Sequence, residues 1–267
     1  MVVTQTKIGF TMKIILSSIL LVFLTVVTIN AQNGELDPEA AKLYNEGNKL
    51  VKSGQYEGAV TKYNQALKID VHTNILYQKS VALKKLRKFD EAEATLHECV
   101  KIDPKFTNAY SGLGTTYYSL QQYDKAIENF TKYTELNKNE KENDKIRKFI
   151  GLSYTQLGQN AKSNGRHDQA INYLKQAVNY YDYDAAYLYL AQANIEIGNY
   201  DEALQAADKA INFRPSNSKI SKGAPYYYKG LAFKGMSEKD KAVESFKVAL
   251  ADKEYKLNSE YELKLLK

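Results

Sequence analysis

The sequence predicts an all-α protein made of six antiparallel helix pairs strung in a row, and three observations predict it. Alanine recurs as Ala59, Ala92, Ala126, Ala170, Ala203 and Ala242, at successive spacings of 33, 34, 44, 33 and 39 residues. Twelve positions before each alanine stands a second small residue: Gly47, Ser80, Gly114, Gly158, Ala191 and Gly230. Between these landmarks apolar residues recur at three and four, the period of a helix face, and no stretch alternates at two as a half-buried strand would. A period near 34 residues marks a repeat array, and that decides the architecture before any single residue does.

The first element is a targeting segment over residues 1–31. From Ile14 to Ile29 the chain carries no charge, Lys7 and Lys13 precede it, and Asn30-Ala31-Gln32 follows, which fits a secretory signal peptide cut after Ala31. Met12 is an alternative start, and Ile29 is larger than the residue favoured three before such a cut. An uncleaved anchor is the rival reading, although 16 apolar residues fall short of the ~20 that span a bilayer without strain. Export therefore places the protein in a periplasm or outside the cell, with membrane contact only if the segment stays uncut. Residues 32–39 read as a flexible linker.

The repeats follow. Thr107 opens the clearest unit, which continues as Tyr110-x-x-Leu113-Gly114-x-x-Tyr117, then Tyr123, Ala126, Phe130 and Tyr133. This resembles the tetratricopeptide repeat almost position by position, with Lys138 where that repeat ends in proline. Glu46 and Lys79 depart from the pattern, replacing the leucine before the small residue, and the terminal proline survives only as Pro104 and Pro215. The resemblance implies a right-handed superhelical solenoid of antiparallel helix pairs, with six units at about 40–72, 73–106, 107–140, 151–183, 184–217 and 223–256. In each unit the small residue of the first helix lets the second helix approach at its alanine, Gly114 against Ala126 for example. Glycines at Gly54, Gly165 and Gly198 fall just past helix ends, where a left-handed backbone is cheap for them. Asp90, Asp124, Asp168 and Asp201 then suit caps or first-turn acids of second helices.

Two insertions break the period. After the charged stretch 137–142, Ile146, Phe149, Ile150, Tyr154 and Leu157 keep helical spacing, which favours an early-starting first helix of the fourth unit over a hinge. Residues 218–222 read as a longer loop before Pro225. Residues 257–267 read as a capping helix, with Asn258 or Ser259 as its N-cap and Leu263 and Leu266 facing the last repeat.

Composition excludes several functions. Charge is +6, and removing Lys7 and Lys13 with residues 1–31, which hold no acid, leaves +4; the only arginines are Arg87, Arg147, Arg166 and Arg214. That is a poor inventory for bidentate contacts to phosphate or guanine, so no nucleic acid is expected. His72, His97 and His167 share no ligand spacing, and no metal or other cofactor is expected. His167 stands where other units carry Tyr56, Phe89, Tyr123 and Tyr200, so it reads as a filler at a turn, while His97 faces solvent. Cys99, the lone cysteine, falls where other units carry Ala66, Ala177, Ala210 and Ala249, a small filler rather than a nucleophile. Gly112-Leu113-Gly114 lacks the preceding strand that a nucleotide loop needs. The chain therefore reads as no enzyme.

Tyrosine is the surplus residue: 22 of them, against nine phenylalanines and no tryptophan. The repeat core accounts for Tyr63, Tyr110, Tyr117, Tyr154, Tyr187 and Tyr226. The resemblance places Tyr44, Tyr77, Tyr118, Tyr189, Tyr227 and Tyr228 on the first-helix face that lines the inner groove, with the amides Asn48, Gln78, Asn108, Gln156 and Gln192. Tyrosine offers contact area and a hydroxyl at low entropic cost, so this face is the expected site for a peptide or protein partner. The family's carboxylate clamp is not expected, because its places hold Tyr44, Asn48, Gln78, Asn108 and Gly112, of which Asn48 alone matches. The leading reading is an exported adaptor, and the alternative is a membrane-anchored component of an envelope assembly.

Overall fold

The computed structural model describes residues 35–267, so the signal or anchor expected over residues 1–31 lies outside the described residues. Thirteen helices and no strand occur among them. None of these helices is long and apolar enough to cross a membrane. The helices group into two compact units, divided between Thr116 and Tyr117.

Unit 1 holds α1 (Pro38–Lys52), α2 (Tyr56–Ile69), α3 (Thr73–Lys85), α4 (Phe89–Ile102) and the start of α5 (Thr107–Ser119). The Asp37 carboxylate opens α1 by accepting from the amides of Glu39 and Ala40 at 2.8 and 3.2 Å, and Pro38 supplies the first helical residue. His72 does the same for α3, its Nδ1 accepting from Asn74 N at 3.1 Å. Helices α1 and α2 form one pair, α3 and α4 the next, and α2 packs on α3.

Unit 2 continues with α6 (Tyr123–Leu136), α7 (Glu140–Ser163), α8 (His167–Tyr180), α9 (Asp184–Glu196), α10 (Tyr200–Asn212), α11 (Gly223–Gly235), α12 (Lys239–Ala249) and α13 (Lys256–Leu265). Pairs form again between α7 and α8, α9 and α10, and α11 and α12. First helices of neighbouring pairs touch along one side, α7 on α9 and α9 on α11.

The small residues of the first helices make room mainly for the large side chain four positions after each alanine. A Cβ on Gly47 would lie 2.5 Å from Tyr63 Cε1, and one on Gly230 would lie 2.6 Å from Phe246 Cε1. On Gly158 it would meet Leu174 Cγ at 2.6 Å and the Ala170 carbonyl at 3.4 Å, so there the alanine backbone is close as well. Tyr63, Leu174 and Phe246 are fully buried. Removing that area from water is the main source of stability, at ~25 cal/mol per Å² of apolar surface.

The turn inside each pair puts one residue in the left-handed region. Gly54, Gly165 and Gly198 adopt φ of 77°, 70° and 78°, and Arg87, Gln121 and Ser237 fill the same place in the remaining units at 60°, 59° and 62°. The following aspartates Asp90, Asp124, Asp168 and Asp201 are first-turn acids, not caps: the N-cap positions belong to Lys88, Gln122, Arg166 and Asn199, which make no side-chain cap bond.

Both insertions are tied down. Helix α7 runs 24 residues, capped by Asn139, whose Oδ1 accepts from Glu142 N at 3.3 Å. Before it, the Asn137 amide donates to Asn143 Oδ1 at 3.1 Å, to Tyr133 at 3.0 Å and to Glu142 at 3.2 Å, while buried Asn143 donates back to the Asn137 carbonyl at 3.0 Å. In the second insertion Arg214 donates to the Ile220 and Ser221 carbonyls, Ser218 bonds the Asp184 carboxylate and Ser221 that of Asp252. Leu263 of α13 and Leu266 just after it pack on Phe233, Ala242 and Phe246. The helix starts at Lys256 after Tyr255, with no side-chain cap, so Asn258 and Ser259 lie inside it.

Candidate functional site

The tyrosines of the first-helix face are half-buried and engaged with their neighbours. In unit 1, Tyr44 leans on the core around Ala40 and Tyr63, its ring 6.1 Å from that of Tyr63. Asn48 accepts the Tyr63 hydroxyl at 2.7 Å and so serves the core directly. The Tyr77 ring meets Phe106 edge to face at 6.0 Å, and burial, then the Cys99 sulfur, holds its hydroxyl above the usual tyrosine range. Gln78 is half-buried and Asn108 exposed.

In unit 2, Tyr118 stands edge-on to Tyr123 at 5.5 Å and to Phe149 at 6.2 Å. Gln156 is half-buried, and Gln192 accepts from Lys162 Nζ at 2.7 Å. Tyr189 and Tyr228 pack on one cluster that includes Leu174, Leu190 and Ala207. Tyr227 lies 5.4 Å from Tyr228, 5.7 Å from Phe246 and 5.2 Å from Tyr255, and Tyr228 lies 6.3 Å from Tyr255.

Two members of this group escaped the sequence reading, Tyr183 before α9 and Tyr255 before α13, because neither lies in a first helix. Burial acts most on both hydroxyls; after it Tyr183 feels Asp184 and then Tyr189 and Tyr118, and Tyr255 feels Tyr228, then Glu254, Asp252 and Tyr189. The Tyr228 and Tyr255 hydroxyls are hydrogen-bonded to each other, and burial first of all holds the hydroxyls of Tyr118, Tyr183, Tyr227, Tyr228 and Tyr255 above the usual tyrosine range. All five stay neutral at physiological pH, able to donate and to accept. The packing of their ring bodies fixes where those hydroxyls stand.

The remaining chemistry is sparse. Cys99 is buried, its thiol donates to the Thr73 carbonyl at 3.5 Å, and burial pushes it up to about 12, the opposite of what a nucleophile needs. His97 is exposed beside Glu93 at 3.7 Å. His167 is half-buried, and its Nδ1 lies 2.8 Å from a Glu196 carboxylate oxygen without making a hydrogen bond to it. Among the described residues no group of three histidine, cysteine or acidic side chains is placed to hold a metal ion.

Family models of the tetratricopeptide repeat match residues 73–106, 105–182 and 155–218, and a TPR repeat model matches 47–71. Small glutamine-rich tetratricopeptide repeat-containing protein 2 of Mycosarcoma maydis is 29% identical over 127 residues, 47% of this chain and 35% of that protein. The chain thus spans about a third of the length of the first curated relatives it matches. Among solved structures, YrrB, described as a TPR protein with an unusual peptide-binding site, superposes with a TM-score of 0.51 at 17% identity, over 76% of this chain and 97% of its own. MamA residues 41 to end from Desulfovibrio magneticus RS-1 gives 0.50 at 16% identity, over 67% of this chain and 97% of its own.

Proposed function

Because this chain carries tetratricopeptide repeats, we propose that it is an exported, non-catalytic adaptor that holds a peptide or protein segment against the tyrosines of its first helices. The observation that carries the reading is the gathering of Tyr189, Tyr227, Tyr228 and Tyr255 on one side of unit 2, packed by their ring bodies and bearing neutral hydroxyls. Prearranged aromatic side chains lose little freedom when a partner docks, which is why tyrosine is enriched among the residues that dominate interfaces. The peptide-binding site named for YrrB is in keeping with such a use of the fold. Export rests on the charge-free run from Ile14 to Ile29 and the Ala31-Gln32 junction.

Replacing Tyr77 and Tyr118 together by alanine tests the face, because both make edge contacts and neither fills the space over a first-helix glycine. Co-purification of the natural partner should fall more than tenfold, at ~2 kcal/mol per anchoring aromatic. Lys125→Glu on a second helix should leave it unchanged, and melting curves on each variant separate lost binding from lost folding. Full retention by a folded double variant, with loss in the Lys125 variant, moves the site to the second helices. For export, the mature N-terminus should read Gln32 or a near neighbour. An intact Met1 or Met12 in carbonate-resistant membranes replaces the cleaved signal by an anchor and favours the envelope-component reading.

A further inference from the structure

Lysine occupies one place in three first helices, four residues after the small residue: Lys84 in α3, Lys162 in α7 and Lys234 in α11. In unit 2 both reach a carboxylate on the next helix layer. Lys162 Nζ lies 2.7 Å from Gln192 Oε1 and 3.6 Å from Glu196, and Lys234 Nζ pairs with Glu262 of α13. In unit 1 the same reach from α3 ends on a hydroxyl: Lys84 Nζ donates to Thr115 Oγ1 of α5 at 2.7 Å. The sequence explains the difference, since α5 carries Thr115 and Ser119 where α9 carries Gln192 and Glu196.

Lys84 is half-buried, and among the described residues no acid forms an ion pair with it. Withdrawing an ammonium from water against a hydroxyl alone is unfavourable. Burial pushes it down to about 8, and the charge of Lys85 adds to that. Tyr77 stands two turns earlier on the same helix face, and Asn108 stands two turns before Thr115 on α5. The cation therefore sits among the residues of the candidate docking face.

We propose that Lys84 anchors a carboxylate of the bound peptide, which supplies in unit 1 the charge that Glu196 and Glu262 supply in unit 2. This rests on the adaptor reading and deepens it by giving the partner a chemistry. The arrangement differs from the family's clamp, whose places hold Tyr44, Asn48, Gln78, Asn108 and Gly112. Below about pH 8 the ammonium already carries its proton, so a carboxylate gains a partly desolvated charge pair without a protonation step. By linkage, whatever binds the charged form must raise the affinity of Lys84 for its proton.

The experiment follows lysine side-chain NMR signals of the full chain against pH with three short peptides. One is acetyl-Ala-Ala-Glu-Ala-Ala-amide, one is acetyl-pentaalanine with a free C-terminus, and one is acetyl-Ala-Ala-Gln-Ala-Ala-amide. At least one acidic peptide should shift the Lys84 signal and move its midpoint from about 8 toward the ordinary lysine range, with Lys162 and Lys234 unmoved. Which of the two acts tells a side-chain carboxylate from a chain terminus. A folded Lys84→Met variant should lose at least tenfold in affinity for that peptide and nothing for the glutamine peptide. Equal responses to glutamate and glutamine, equal responses at Lys162 or Lys234, or a silent Lys84 up to ~10 mM of every peptide overturns the inference. A silent Lys84 with partner retention still dependent on Tyr77 and Tyr118 removes the carboxylate and keeps the adaptor. A responsive Lys84 with retention indifferent to both tyrosines does the reverse.

Discussion

Asn48→Ala separates a residue that holds a partner from one that holds the fold. Tyr63 is fully buried, its ring lies over Gly47, and its hydroxyl reaches Asn48 Oδ1 at 2.7 Å. Alanine at 48 leaves that hydroxyl without its acceptor, and an unpaired buried hydroxyl costs ~1–3 kcal/mol. Asn48 itself is half-buried, so water reaches part of the vacated space and the expected loss is ~1–2 kcal/mol. Tyr63→Phe removes the other partner and costs less, because the asparagine can turn to solvent. The double variant should be little worse than Tyr63→Phe alone, with a coupling of ~1 kcal/mol. Urea unfolding followed by circular dichroism gives the energies, and amide exchange in α1 and α2 localises them, since repeat arrays need not unfold in one step. An Asn48→Ala protein within ~0.5 kcal/mol of the parent, or two losses that simply add, refutes this account of the pair.

Three further outcomes are expected. Gln121→Gly and Ser237→Gly relieve a left-handed residue at φ 59° and 62°, and each should stabilise by ~0.5–1 kcal/mol after the extra chain entropy of glycine is subtracted, read as a rise in urea midpoint. Gly230→Ala sets a Cβ 2.6 Å from the buried Phe246 ring and should cost ~1–3 kcal/mol, and an unchanged midpoint would show that the ring can give way. Lys84 binds its proton more weakly folded than unfolded, so between about pH 8 and the ordinary lysine value of ~10.4 the unfolded chain holds the extra proton and stability rises with pH. The tyrosines act oppositely, since their raised values make stability fall once unfolded tyrosines ionise near pH ~10, which leaves a rising window from about 8 to 10. Melting temperature should climb across that window in the parent and stay flatter in Lys84→Met.

The helix pairs were legible because each unit repeats two small residues twelve apart, and a spacing read six times survives local departures such as Glu46 and Lys79. The turns were legible where glycine marks them, at Gly54, Gly165 and Gly198. Arg87, Gln121 and Ser237 adopt the same left-handed backbone without the residue that advertises it. Asn48 read as a groove amide because its face is set by helical period, whereas its bond to Tyr63 depends on how α1 lies against α2. Tyr183 and Tyr255 fell outside the scheme because they precede helices, although the cluster Tyr180, Tyr181 and Tyr183 was a compositional sign. The lysine row of Lys84, Lys162 and Lys234 was equally open to view. Its meaning depended on the next layer, where Ser119 stands in place of Glu196.

The two tied corners of unit 2 respond differently to acid. Between α6 and α7, beside the bonds to Tyr133 and Glu142, one bond runs from amide to amide and one from amide to carbonyl, groups that do not titrate, so that corner keeps a tie over a wide pH range. The corner before α11 hangs on the carboxylates of Asp184 and Asp252, joined to Ser218 and Ser221. Hydrogen bonds from Ser221 and from the Gly223 amide hold Asp252 below its ordinary range, so strong acid is needed to free it. Strong acid is therefore expected to release Ser221 and the Gly223 amide from Asp252, while the Arg214 bonds to the Ile220 and Ser221 carbonyls and the amide bonds at 137–143 persist, a difference that amide exchange would read.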